Sequence, residues 1–267
     1  MKNKKLVTIL FFDILTPDEA QKIEFSREIY NGGTYSESVR RRVGLGPDEW
    51  VYCDAPKGVF PKDLSQFDGV IIGGSTGDPI QGSEKSWMRK TYPFIRKLIR
   101  AKIPLLGICG GLQFTVRALG GDVILNPKGR ELGTIRVALT KSGKQDPLFR
   151  GLPHAIFAQS SHKCIAGDLL PDWVLLGSSK LCIPQAIGIH NSVRLLQFHP
   201  EKKASYLKRL VRTRKNTLLK EGFVKNEAQF KKFVASIKNE DRIGKKILHN
   251  FVTQFVMPYA QQKTKTR

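Results

Sequence analysis

Cys109 stands between an apolar run, Ile103-Pro-Leu-Leu-Gly-Ile108, and a pair of glycines, Gly110 and Gly111. A buried strand that reaches a thiol and leaves it through a glycine-opened helix has the strand–turn–helix form of a nucleophile elbow, with sulfur in place of the hydroxyl oxygen. Gly107, Gly110 and Gly111 permit a sharp turn that larger side chains would crowd. A helix N-terminus behind the sulfur favours thiolate, the reactive form. The Gly110 N–H is then free to stabilise an oxyanion. A lone cysteine on a strand end is more often an inert buried thiol, so the elbow needs a base to count as chemistry. Arg194-Leu-Leu-Gln-Phe-His-Pro-Glu201 offers one. His199 could hold the thiolate and later protonate a leaving amine, Glu201 could orient His199, and Pro200 fixes the backbone between them. The same tripeptide would also serve as an ordinary exposed turn.

Elements that could position these groups are visible on both sides. Up to about Ala118, LVTILFF, VIIGG and IPLLGI are fully apolar runs, as parallel strands covered on both faces require. Between the last two, Trp87, Phe94, Ile95, Leu98 and Ile99 recur at helical spacing within residues 84–102, and GGLQFTVRALGG reads as a short helix ended by Gly120 and Gly121. This rhythm argues for a doubly wound α/β sheet. From Gly121 to Phe198 the runs DVILN, TIRVALT, AIFAQSS, WVLLGSS, CIPQAIGI and RLLQFH are strand-like and punctuated by turn residues, predicting a β-rich meander that extends the sheet. Beyond Glu201 the pattern is helical. Leu207, Leu210, Val211 and Leu218 predict one amphipathic helix, Phe230, Phe233, Val234 and Ile237 a second, and Ile247, Phe251, Val252 and Phe255 a third, with a frayed QQKTKTR end.

Charge is unevenly spread. Of a net +22, residues 202–267 carry +14, from 18 Lys plus Arg against 4 Asp plus Glu. An acidic partner would suit such a tail, as would a merely soluble surface. No nucleic-acid-binding motif accompanies the charge, and the tail aromatics sit at core spacing rather than in a stacking series. The four cysteines, Cys53, Cys109, Cys164 and Cys182, fit neither a zinc spacing nor a small disulfide framework. MKNKK followed by LVTILFF imitates a signal peptide, but the run is short and Asp13 follows it, so a buried first strand fits better. No run approaches the ~20 apolar residues of a membrane span. A cytoplasmic chain with reduced thiols is expected.

Taken together, Cys109-Gly-Gly-Leu-Gln113 and, about 90 residues on, Gln197-Phe-His-Pro-Glu201 resemble the class I (triad) glutamine amidotransferase family, in its GMP synthetase-like branch. The likeness covers roughly residues 4–201. It implies a flavodoxin-like, doubly wound, mostly parallel sheet with a β-rich second half. Residues 1–201 would form the amidotransferase domain, and residues 202–267 a basic helical extension packed on it. It further implies Cys109, His199 and Glu201 as the triad, a γ-glutamyl thioester intermediate, and no cofactor or metal. Ile71-Ile-Gly-Gly74 resembles the loop that supplies an oxyanion donor, Gly74, beside Gly110. Gly73, Gln113 and the Ser161-His162 pair fall where relatives bind substrate, and Glu131-Leu-Gly133 matches a motif that follows the elbow helix. Ser75 replaces a frequent proline, and Lys163-Cys164 a frequent Gly-Asp, which opens the substrate choice to γ-glutamyl compounds as well as glutamine. The 66 mostly helical, basic residues after Glu201 are not expected to house a synthetase, so the chain is expected to dock on an ammonia-accepting synthetase subunit or to act alone as a γ-glutamyl hydrolase. A non-catalytic basic scaffold is the reading in a different class.

Overall fold

The computed structural model describes residues 7–265. Its strands are β1 (Ile9–Asp13), β2 (Trp50–Asp54), β3 (Gly69–Ile72), β4 (Leu105–Ile108), β5 (Val123–Leu125), β6 (Glu131–Leu139), β7 (Ala155–His162), β8 (Cys164–Ala166), β9 (Trp173–Ser178), β10 (Ala186–Ile189) and β11 (Val193–Leu196). Its α-helices are α1 (Glu19–Glu28), α2 (Tyr35–Val43), α3 (Ser86–Arg100), α4 (Gly110–Ala118), α5 (Lys141–Gln145), α6 (Ala204–Thr213), α7 (Lys215–Lys220), α8 (Glu227–Ser236), α9 (Asp241–Phe251) and α10 (Met257–Lys265). One sheet runs in the order β2-β1-β3-β4-β11-β10-β9-β6-β7. The first five strands are parallel neighbours and the rest pair antiparallel. β5 and β8 form a separate two-stranded ribbon.

Every residue of β1, β3, β4 and β11 is buried, the reason these runs carry no polar alternation. Successive residues feed opposite faces. Phe11, Ile71 and Leu106 pack on one side with Val39 of α2 and Ile247, Phe251 and Phe255 of the C-terminal helices. Leu10, Val70 and Leu105 pack on the other with Leu98 of α3 and Phe114 of α4. The sheet therefore delivers Cys109 and His199 from the C-terminal ends of adjacent strands, β4 and β11, where open α/β sheets carry their sites.

The C-terminal segment departs from its sequence pattern in two places. The stretch from Leu207 to Leu218 is two helices, broken at Arg214, although its apolar side chains still share a cluster with Phe230, Val234 and Ile237. The expected frayed end is helical as far as Lys265, while Thr266 and Arg267 lie outside the described residues. Lys263 anchors it, donating to the Phe67 carbonyl at 3.1 Å and pairing with the Asp68 carboxylate. A π-turn over Val252–Val256 joins α9 to α10. Among the described residues no helix is long and apolar enough to cross a membrane.

Candidate active site

The elbow is built from close approaches that only glycine allows. A Cβ on Gly107 would lie 2.8 Å from the Gly111 carbonyl oxygen, and one on Gly111 2.3 Å from that of Ile72. A Cβ on Gly110 would lie 2.5 Å from the backbone nitrogen of Ser75. Cys109 caps α4 at φ 51° and ψ −99°, a left-handed conformation that costs a non-glycine residue on the order of 1–3 kcal/mol. It is held there by its N–H, which donates to the Leu196 carbonyl at 2.7 Å, and by α4 folding directly from its own carbonyl. The Gln197 amide donates to the sulfur at 3.6 Å.

His199 and Glu201 sit on the turn after β11. The His199 N–H donates to the Gln159 carbonyl of β7 at 2.8 Å, and its Nδ1 lies 2.7 Å from Glu201 Oε1. That contact fixes the ring and leaves Nε2 to exchange a proton; among the described residues Nε2 has no hydrogen-bond partner. Tyr35 of α2 adds a support that carries no signal in the sequence. Its hydroxyl donates to Glu201 Oε1 at 3.1 Å and accepts from the Gly74 N–H at 2.8 Å. Arg42, also on α2 and buried, donates from Nε to the Pro200 carbonyl at 3.4 Å.

Cys109, His199, Gly74, Ser75 and Ser161 line one cavity of about 40 Å3 together with two cations, Lys202 and Arg214. Burial pushes the Cys109 thiol up to about 12, against the pull of the Lys202 charge. Burial, reinforced by Lys202, pushes the His199 imidazole down, against the opposing effect of Glu201. Burial also favours a neutral Glu201, yet His199 beside it and their hydrogen bond hold the carboxyl below its usual range. Both shifts favour the uncharged forms of the thiol and the imidazole. A thiolate would form by passing the proton to His199, a charge separation that Glu201 and Lys202 stabilise from either side.

The site residues expected from sequence fare differently. Cys109, His199 and Ser161 meet at this cavity, Glu201 stands behind His199 at 2.7 Å, and Ser161 Oγ accepts from Arg214 at 3.4 Å. Gly110 sits at the elbow against Ser75. The Gly74 N–H, expected to face an oxyanion, is taken by Tyr35. Gly73 packs on the Tyr35 ring, where a Cβ would lie 2.7 Å from Cε1. Gln113 is buried behind the elbow, donating to the Cys164 carbonyl at 2.9 Å. His162 meets Glu131 at 3.1 Å instead of lining the cavity. Glu131, His162 and Cys182 bring possible metal-ligand atoms within 4.8 Å of one another, all buried. Ser179 donates to Glu131 at 2.6 Å, Gln185 also donates to it, and Cys182 donates to the Pro184 carbonyl at 3.2 Å. Lys202 and Arg214 carry no sequence signal, because each lies in a run of surface-like basic residues.

Known proteins resemble this chain in sequence and in fold. The family model described as glutamine amidotransferase class-I matches residues 29–216. Gamma-glutamyl peptidase 4 of Arabidopsis thaliana is 28% identical over 245 residues, covering 90% of this chain and 93% of that protein. A subunit of the glutamine-hydrolysing GMP synthase of Sulfolobus acidocaldarius is 31% identical over 176 residues, 66% of this chain and 88% of its own length. The crystal structure of a glutamine amidotransferase from Thermotoga maritima superposes with a TM-score of 0.70 at 21% identity, covering 94% of this chain and 99% of that one.

Proposed function

The chain belongs to the class-I glutamine amidotransferase family, and from that premise we propose that it hydrolyses a γ-glutamyl amide through a thioester on Cys109. The carrying observation is the convergence of a strained elbow cysteine and a His199 ring oriented by Glu201 on one cavity. Cys109 Sγ gives its proton to His199 Nε2 and attacks the amide carbon of the γ-glutamyl group. The oxyanion accepts from the Gly110 N–H, and Gly74 joins it only if Tyr35 releases the bond it now accepts. The C–N bond then breaks, His199 returns the proton to the departing amine, and the γ-glutamyl group remains on sulfur. A water that loses its proton to His199 hydrolyses the thioester, giving glutamate and restoring the Cys109 thiol. Ser161 and Arg214 border the substrate, whereas Gln113 and His162 support the walls behind it.

Glutamine, with ammonia as the leaving amine, is the simplest substrate. Ammonia would then be handed to a synthetase partner, as the likeness to a GMP synthase component suggests. A second reading, the stand-alone γ-glutamyl peptide hydrolase, draws on a specific feature. A cavity of about 650 Å3 shares Leu15, Phe25, Tyr30 and Tyr35 with the catalytic one, room that ammonia does not need and a peptide would use. Lys202 and Arg214 suit the α-carboxylate that glutamine and γ-glutamyl peptides both carry. The four cysteines are free and buried, which suits the reducing cytoplasm we propose for the protein. Glutamate release should be measured from glutamine and from a panel of γ-glutamyl dipeptides, with the Cys109→Ser chain as blank. Turnover of dipeptides alone selects the peptidase. Turnover of glutamine alone selects the amidotransferase, and turnover of neither overturns the proposal.

A further inference from the structure

Residues beyond 216 lie outside the family match, yet they reach the catalytic turn. We propose that this C-terminal segment is a clamp that positions His199 and Glu201, with Gly244 of α9 as its contact point. The inference rests on the catalytic reading of that turn. A Cβ on Gly244 would lie 2.1 Å from the Pro200 carbonyl oxygen and 3.0 Å from its carbon, so α9 is pressed directly onto the backbone between the two catalytic side chains. Gly244 has no left-handed φ, and close approach alone demands glycine there.

The contact is buttressed on both sides. The Arg42 guanidinium, 2% exposed, lies between the two segments, with Nε 3.4 Å from the Pro200 carbonyl and Nη2 2.8 Å from that of Asp241 at the start of α9. On the far side, the Lys238 carbonyl just before α9 accepts from the Gln159 side chain at 2.8 Å, and the Gln159 carbonyl holds the His199 N–H. The Lys238 N–H donates to Thr134 Oγ1 at 2.9 Å, tying the same point to β6. Phe198 and Pro200 meet Ile243, Gly244 and Ile247 around a void of only about 10 Å3. A contact this close leaves the turn little freedom to shift.

The full-length chain tests this with Gly244→Ala beside Leu248→Val, a change on the same helix in the core, chosen to lower Tm comparably. Two readouts are taken, steady-state kinetics on the substrate the native chain accepts, and hydrogen exchange over residues 197–203. Gly244→Ala should lower kcat by about 10²-fold with KM unchanged, as a small misplacement of the base does. Exchange over residues 197–203 should quicken. Leu248→Val should keep the native kcat and native exchange at the turn. Should Gly244→Ala fail to fold, Arg42→Lys, which keeps the charge but cannot bridge Pro200 and Asp241, should give the same pattern at smaller amplitude. A kcat loss no larger than that of Leu248→Val, or unchanged exchange at the turn, overturns the clamp. A native chain that turns over no γ-glutamyl compound would instead sink the catalytic reading, leaving the exchange comparison to judge the clamp by itself.

Discussion

Cys109 takes its conformation from its own strand and helix, the adjacent β11 and the β3 loop, whereas the His199–Glu201 turn depends on the Tyr35 and Arg42 side chains of α2, the Gln159 carbonyl of β7 and the backbone of α9 at Gly244. The two halves of one site are thus held by different means. At the elbow the constraint is steric, since Gly107, Gly110 and Gly111 have backbone or side-chain atoms where a Cβ would go. At the turn one close contact, Gly244 on Pro200, is joined by a set of hydrogen bonds from distant residues, including Tyr35, which lies 166 positions from Glu201. A steric constraint fails all at once, while a network fails in steps. Substitutions at the elbow should therefore be close to all-or-none, and substitutions of the hydrogen-bonding residues around the turn should be graded.

The largest effect is expected at the sulfur. Cys109→Ser should remove turnover and leave Tm almost unchanged, because the side chain is nearly isosteric; residual turnover near the native rate would show that the elbow holds no nucleophile. At the turn, His199→Ala should lower kcat by about 10³-fold, as loss of proton transfer in both half-reactions implies. A native-like rate would move the base elsewhere. Glu201→Gln should cost less, since the amide can still orient the ring.

Tyr35→Phe is the graded case. Removing a hydrogen bond to a charged group costs about 1.5 kcal/mol, so kcat should fall by about tenfold with little change in KM. A faster enzyme would mean that the hydroxyl masks the Gly74 N–H rather than supporting Glu201.

The smallest effect on rate, though not on stability, belongs to Asp13, at the end of β1 and outside both halves. Burial raises its pKa from 3.8 to about 6, against the hydrogen bond it accepts from the Leu15 N–H. A carboxyl with a raised native pKa favours the fold fully below its unfolded value, and that contribution is lost as pH rises through the native value. Asp13→Asn should therefore stabilise the chain above pH 6 by at most about 3 kcal/mol, from 1.36 kcal/mol per pH unit, and give no gain near pH 3.5. Urea unfolding at both pH values checks it, and a gain of equal size at low pH would contradict it.

What is legible in the sequence follows the same division. β1, β3, β4 and α4 can be read because burial on both faces writes itself as an unbroken apolar run, and the elbow because its glycines are contiguous with the thiol. β2 is an edge strand of mixed burial, Trp-Val-Tyr-Cys-Asp, and has no such pattern. α1 buries no residue and leaves no apolar stripe. Tyr35, Arg42 and Gly244 sit in unremarkable local contexts, and only the tertiary fold brings them to the turn. Motif position draws Gln113 and His162 toward the substrate, yet the fold points them into hydrogen bonds with Cys164 and Glu131. The lysines at the end of the chain look solvated and suggest fraying, whereas Lys263 finds Asp68 beside β3.

Everything in this mechanism depends on a thiol that acts as a nucleophile. The direct measurement is intact-mass and peptide mass spectrometry of the full-length chain after exposure to an electrophilic glutamine analogue, in the native form and as His199→Ala. One adduct per chain, on Cys109 and on none of Cys53, Cys164 or Cys182, with labelling much slowed in His199→Ala, is the predicted result. Adducts spread over the four thiols, or Cys109 labelling that does not depend on His199, would contradict it.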